Sequence, residues 1–400
     1  MGEERKVTRR HFVGGAAATL GALGFAPGAL AATTGGAHAT RRGAAPYLPA
    51  LAQERDEYDA LAKINFNENP YGPSEKVMEA MQYAFKYSMR YGYPDGGITQ
   101  AIADHHGVGR ENILLGAGSG EILEVVGLTY LDPSKLVVGV EPSYGSVYSH
   151  ASGIDAEALL LPLEPDYRQN IPRMIDATRR NARDVGFVYL CNPNNPTGLP
   201  VSAREVEDLL DGIPEDIPVL IDEAYHHFVE DPSYATAIPY VLEGRRVIVA
   251  RTFSKIYGMA AMRLGYAVAP ADMVQRMQAF STGSTNALVK WGGAAALADH
   301  ESEQWVRETT LRLRKRTTAE VERFGYEVIP SDTNFFMVNM RRPVQEVSRA
   351  FRERDILVGR PFPPMLEHLR VSVGTEEEMD RFLEAFEDIF VTRTSSGGGR

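Results

Sequence analysis

Cysteine is almost missing from this chain: Cys191 stands alone among 400 residues. That excludes an intrachain disulfide framework and any cysteine-rich metal site. Positive charge is also scarce, with 42 lysines and arginines against 53 aspartates and glutamates for a formal charge of −11. Nucleic acid and anionic lipid are therefore poor general partners, and a small molecule is expected instead. After the first few dozen residues no apolar run approaches the ~20 residues that a membrane-spanning helix needs, and no internal repeat stands out. What is present is a hydrophobic content of 44% in a chain long enough to bury a sizeable core, divided between one large domain and one smaller one.

The N-terminus carries a compartment signal. In "TRRHFVGGAAATLGALGFAPGALAA" a pair, Arg9-Arg10, precedes a small-residue apolar stretch and a cleavage-like "ALA", the order of a secretory signal. The paired arginines give it twin-arginine character, so residues 1–31 are read as a twin-arginine-type signal addressed to the periplasm or exterior by way of that export machinery. An uncleaved membrane anchor is the alternative. Residues 32–60, rich in Ala, Gly and Thr without a sustained period, read as a linker and arm, and 394–400 as an unstructured tail.

Through the middle of the chain, short apolar runs alternate with longer charged segments. "NILLGAG", "KLVVGV", "DVGFVYLC", "IPVLIDEAY", "RRVIVARTF" and "RLGYAVA" read as buried strands. "SGEILEVVGLTYL", "SAREVEDLLDGI" and "ADMVQRMQAF" read as helices with one apolar face. This order predicts an α/β fold, a mostly parallel central sheet sandwiched by helices, which takes ligands at the carboxyl ends of its strands. Further on, "YEVIP", "NFFMVNM", a helix through Arg349 to Arg354, "RVSVG" and a terminal helix from Glu376 to Val391 suggest a smaller α+β domain, with the expected site between the two.

Polar insertions interrupt the strand ends. In "GAGSGEIL", Gly118, Ser119 and Gly120 open a helix whose N-terminus suits an anion such as phosphate; a plain tight turn is the competing reading. Tyr144 in "EPSYG" could cover a planar ligand or simply pack. Asn195 in "NPNNPTG" could donate into the cleft, or the segment could be only a turn. Asp222 follows four apolar residues in "VLIDEAYHHF", so its carboxylate needs a cationic partner such as a pyridinium nitrogen, with Tyr225 near the same ring; a helix N-cap is the alternative. The neighbouring His226 and His227 diverge on either regular element, and no metal is expected. In "RTFSKIYGMAAMRLGY", Lys255 sits among small and apolar groups, which lower its pKa and suit Schiff-base chemistry. Ser254 and Arg263 could then hold a phosphate. One cofactor, pyridoxal 5'-phosphate, satisfies all five insertions.

Together these motifs resemble those of the fold-type I, class I/II aminotransferases, in order from about residue 60 to 390. "INFNENPYGPS", "YPDGG" and "LRVSVGT" are most similar to the histidinol-phosphate aminotransferase branch. The resemblance implies Lys255, Asp222 and Tyr225 as the catalytic set, with Lys255 holding the cofactor aldehyde and then moving a proton. It implies contact of Asn195 and Tyr225 with the ring oxygen, stacking by Tyr144, and phosphate binding by Gly118, Ser119, Gly120, Ser254 and Arg263. Tyr93 would reach the phosphate of a second subunit, making a homodimer. Arg370 would take the substrate's acidic group, with Tyr71 and Asn334 lining its pocket.

The implied activity is ping-pong exchange of an amino group between an amino acid or amino-alcohol phosphate and a 2-keto acid. Decarboxylation, elimination or amino-acid oxidation on the same scaffold is the alternative. The implied division is 61–95 as an N-terminal segment serving the small domain and dimer interface, 96–295 as the large cofactor-binding domain, and 296–393 as the C-terminal small domain. One departure concerns substrate: where that branch carries a "GILVR"-like segment, this chain reads "DILVGRPFPPM", and Gly359 displaces Arg360 by one position.

Overall fold

The computed structural model describes residues 5–7 and 58–392. Its strands are β1 (Arg5–Val7), β2 (Ala62–Ile64), β3 (Ile113–Gly116), β4 (Leu136–Glu141), β5 (Glu157–Pro162), β6 (Val185–Cys191), β7 (Val219–Asp222), β8 (Val247–Thr252), β9 (Gly265–Val268), β10 (Glu327–Ile329), β11 (Phe335–Asn339), β12 (Ile356–Val358) and β13 (His368–Ser372). An eight-stranded sheet runs β1-β5-β4-β6-β7-β8-β9-β3. The pairs from β5 through β4, β6 and β7 to β8 are parallel, whereas β1, β9 and β3 join antiparallel.

The parallel strands are apolar through their centres because both faces are covered, with ionisable residues such as Asp222 and Arg251 towards their carboxyl ends. Every residue of β6, β7 and β8 is buried, as expected of a sheet with helices on both sides. The helices have local reasons to start where they do. Ser202 caps Ala203–Gly212 in a reciprocal box with Glu205, and Thr375 does the same with Glu378 for Glu376–Phe386, each arrangement satisfying two free backbone N–H groups.

Register lines up the strand ends: Cys191 pairs with Asp222, and Asp222 with Ala250. The loops that follow β6, β7 and β8 therefore emerge side by side. Four strands go beyond the sequence reading: β1, β2, β5 and β12. The run forming β5 is too short for periodicity to separate strand from helix, and β1 falls in the segment read as a leader. The rest of that leader, nearly all of the arm, and the tail lie outside the described residues.

A second apolar core contains Phe336, Phe351, Leu369, Val371, Phe382 and Phe386. It packs beneath the antiparallel sheet β10-β11-β13 and the two-stranded sheet β12-β2. Because β2 pairs in parallel with β12, chain from the beginning of the described fold is built into the C-terminal layer, and Ala62 and Ile64 lie in its core. The terminal helix ends at Phe386 and continues as a wider turn over Glu387–Thr392, where the sequence predicts one helix to Val391.

Candidate active site

The glycine-rich turn after β3 forms a cup for an anion. Gly118 adopts φ 83° and caps the helix Ser119–Tyr130, a left-handed backbone for which glycine is suited. A Cβ here would lie 2.1 Å from Arg263 Nη2. Arg263 is itself left-handed at φ 59°. Its Nη1 donates to Ser254 Oγ at 3.4 Å and Ala260 O at 2.8 Å, and its Nη2 to Ala117 O at 3.3 Å. Gly265, which the sequence reading passed over, allows the backbones to close, since a Cβ there would stand 2.3 Å from Ser119 N. Helix N-terminus, serine hydroxyl and guanidinium thus converge, with Gly120 in the first turn.

Asp222 ends β7 and is only 2% exposed. It receives the Ala224 N–H at 3.2 Å and the Tyr189 hydroxyl at 3.4 Å. These two donors offset burial incompletely, and loss of water drives its pKa up to about 6. Lys255 follows β8 on the neighbouring loop, its Nζ donating to Phe66 O at 3.2 Å. Desolvation, then the Arg370 charge, brings its pKa down to about 8, with Glu68 and Asp222 opposing. A buried carboxylate short of donors beside a lysine poised to lose its proton is a pairing found at reactive sites rather than structural ones.

Asn195 and Tyr225 meet at the same place. The Asn195 amide donates to the Tyr225 hydroxyl at 3.2 Å, and Arg370 Nη1 donates to Asn195 Oδ1 at 2.8 Å. Arg370 Nη2 reaches Asn65 O at 2.7 Å, while its Nε lacks a hydrogen-bond partner. Among the described residues this buried guanidinium forms no ion pair. Burial, opposed by Tyr225, lowers its pKa to about 10. Asn334 donates to the carbonyls of Asn67 and Glu68 at 3.0 and 3.3 Å, leaving its own Oδ1 unpartnered. Asn194 joins the loops after β6 and β4, accepting from Ser143 Oγ at 2.8 Å and donating to Pro142 O at 3.2 Å, and so carries Tyr144 alongside. Tyr144 is 41% exposed and lies within electrostatic reach of Asp222 and Arg263.

Other residues singled out from the sequence lie differently. The Tyr71 ring packs edge-on against Trp305, with centroids 4.8 Å apart. Its turn is held by Asn69, which donates to Ile256 O and accepts from Tyr71 N. Tyr93 donates to Thr285 O at 2.6 Å. Arg360 is exposed and donates to Pro361 O. Gly359 N bonds to Arg370 O at 2.9 Å, and a Cβ at 359 would lie 2.6 Å from that oxygen. The inserted glycine thus lies against β13, and Arg360 packs over Phe362 at 4.3 Å while Arg370 packs over the same ring at 4.7 Å.

Asn67 and Ser372 also belong to the site, and neither was assigned a role from the sequence. Asn67 lay within the quoted "INFNENPYGPS", where an asparagine followed by Glu-Asn-Pro was the available signal.

A doubly covered parallel sheet with an anion cup, a buried carboxylate and a depressed lysine at its strand ends defines an enzyme that works through a planar, phosphate-bearing aldehyde cofactor. The family model for aminotransferase class I and II matches residues 61–386, and the chain belongs to that family, making it a pyridoxal-phosphate-dependent aminotransferase. A histidinol-phosphate aminotransferase of Symbiobacterium thermophilum is 35% identical over 350 residues, covering 85% of this chain and 94% of that one. One from Carboxydothermus hydrogenoformans is 34% identical over 352 residues, 84% and 94% of the two chains. The structure of histidinol-phosphate aminotransferase from Sinorhizobium meliloti in complex with pyridoxal-5'-phosphate matches with a TM-score of 0.77 at 26% identity, over 88% of this chain and 96% of that one.

Proposed function

We propose that the amino donor carries an anionic group that Arg370 receives, and that a phosphorylated amino alcohol of the histidinol phosphate type is the leading candidate. The observation that carries this reading is the buried Arg370 guanidinium, hydrogen-bonded to neutral oxygens only. A buried cation without a carboxylate is costly unless a ligand supplies the charge. Arg360, over the same Phe362 ring, adds a second positive group nearby. The curated relatives named for histidinol phosphate support the substrate class.

The residues present fit the cofactor. Bound there, pyridoxal phosphate supplies an aldehyde that condenses with amines and a ring that accepts the electron pair released at the substrate α-carbon. The backbone N–H groups at Ser119 and Gly120, with the Gly118 turn, Ser254 and Arg263, would hold its phosphate. Asp222 keeps a proton on the pyridine nitrogen, which in return offsets the carboxylate's burial. Asn195 and Tyr225 face the ring oxygen, and Tyr144 covers the ring. Lys255 would hold the aldehyde, and its Nζ would be the group that takes and returns the α-carbon proton. Tyr93 serves the partner subunit's phosphate in a homodimer, and Asn334 with Arg370 orients the donor.

The paired Arg9-Arg10 and the apolar stretch after it support export by the twin-arginine route to the periplasm or beyond. Exchange of both arginines for lysine should then retain the protein in the cytoplasm on cell fractionation; unchanged export would refute that route.

The substrate test follows the visible band of the loaded enzyme during addition of single donors without a keto acid. Histidinol phosphate and acidic amino acids should bleach the band, and a keto acid should restore it. Bleaching by uncharged amines with equal affinity would refute the role of Arg370. Release of carbon dioxide, ammonia or peroxide would redirect the reading to other chemistry on this fold.

A further inference from the structure

Tyr225 is held by a residue from a distant part of the chain. Its hydroxyl oxygen accepts two amide donors, Asn195 Nδ2 at 3.2 Å and Asn67 Nδ2 at 3.1 Å. Asn67 is 1% exposed and left-handed, with φ 55°, a conformation asparagine tolerates better than most residues. Ser372 Oγ donates to Asn67 Oδ1 at 2.9 Å and accepts from Asn67 N at 2.8 Å. These bonds fix which end of the amide is which: the oxygen is engaged by the serine, so the NH2 group faces the phenol.

We infer that Asn67 is a positioning residue that makes Tyr225 a committed hydrogen-bond donor to the cofactor's ring oxygen. The inference rests on pyridoxal phosphate occupying the Lys255 site. A phenol has one proton and a limited set of lone-pair directions. With amides donating to its oxygen from two sides, the proton is left to point away from both. Donation to that oxygen also polarises the O–H bond and strengthens what the phenol gives in turn. Without Asn67 the hydroxyl gains freedom to rotate, and its own donation weakens. Donation to the ring oxygen favours the form from which the neighbouring shared proton has left, so weaker donation holds that proton to higher pH.

The role is separable from simple packing because it predicts a spectroscopic change. The visible absorbance of the loaded, full-length enzyme is titrated against pH for wild type, Tyr225→Phe, Asn67→Gly, Asn67→Asp and Ser372→Ala. Glycine retains the left-handed backbone and removes the donor, and its midpoint should rise by roughly half to one pH unit, the scale of one net hydrogen bond. The aspartate variant keeps the shape but offers an acceptor that competes for the phenolic proton, so its midpoint should rise at least as far. Ser372→Ala frees the amide to turn and should give a smaller rise. If Tyr225→Phe moves the midpoint and both Asn67 variants leave it unmoved, even with lowered thermal stability, Asn67 only supports the backbone and the inference is overturned. If wild type develops no visible band, the cofactor reading fails and takes the inference with it, a result distinguishable from an intact band that Asn67 does not influence.

Discussion

Arg370 Nη1 donates to Asn195 Oδ1 across 2.8 Å, joining β13 of the C-terminal sheet to the loop after β6 of the large one. The guanidinium proposed to receive the substrate is therefore tied to the side chain proposed to face the cofactor ring. Arg370→Met should raise KM for anionic donors by roughly 10- to 100-fold, the worth of a charge-assisted hydrogen bond. Neutral amine donors should change much less. Steady-state kinetics with donors matched in size and differing in charge checks this, and an equal rise for both kinds would remove the charge-recognition role.

Asp222 imposes a pH-dependent cost on the cofactor-free fold. Its folded pKa, about 6, is raised above the ordinary aspartate value of 3.8, so between these values the folded state binds more protons than the unfolded one. Stability consequently falls as pH rises from about 4 to about 6, and the penalty persists above that range. Asp222→Asn should stabilise the cofactor-free protein at pH 7.5 by up to about 3 kcal/mol, an upper bound from two pKa units. The advantage should vanish near pH 3.5. Urea unfolding at the two pH values measures it, and the same variant should lose transamination because an amide cannot hold the pyridinium proton.

Lys255, with its pKa brought down to about 8, determines when the cofactor can be taken up. Only the neutral amine attacks an aldehyde. The rate at which cofactor-free enzyme develops its visible band should rise with pH about a midpoint near 8 and level off above 9. An exposed lysine would keep rising towards 10.5. Stopped-flow mixing with pyridoxal phosphate across this range distinguishes the two, and Lys255→Ala should give no covalent adduct at any pH.

At Gly118 a methyl group meets both a left-handed backbone and the Arg263 guanidinium. Gly118→Ala should push Arg263 out of the cup and weaken cofactor binding by roughly 10- to 100-fold, as loss of a charged phosphate contact implies. At saturating cofactor, turnover should recover most of its wild-type value. Equilibrium titration of the cofactor-free variant tests this, and unchanged affinity would mean that Arg263 does not serve the phosphate.

Much of this was legible because burial and charge conflict in short stretches. Lys255 and Asp222 stood out as ionisable groups in apolar surroundings, and β6, β7 and β8 as uninterrupted apolar runs. Asn67 and Ser372 were harder to interpret because their meaning depends on a partner 305 residues away, a separation over which one sequence carries no period. Gly265 hid inside a strand, where its missing side chain matters only against the Ser119 backbone. Tyr71 has a contact that its motif did not announce: the Asn69-held turn sets its ring against Trp305. The displaced Arg360 was visible as an insertion, whereas its stacking on Phe362 required the fold.

The β2–β12 pairing also orders events during synthesis. After β1 the chain presents β2, then the cup, Asp222 and Lys255, and last Asn334 just before β11 and Arg370 and Ser372 on β13. A chain stopped after residue 300 contains the strands of the large sheet, yet has neither the arginine for the donor nor the serine that orients Asn67. Transamination is thus expected to be withheld from products that end before Ser372, because competence requires the residue that β13 brings back to Asn67.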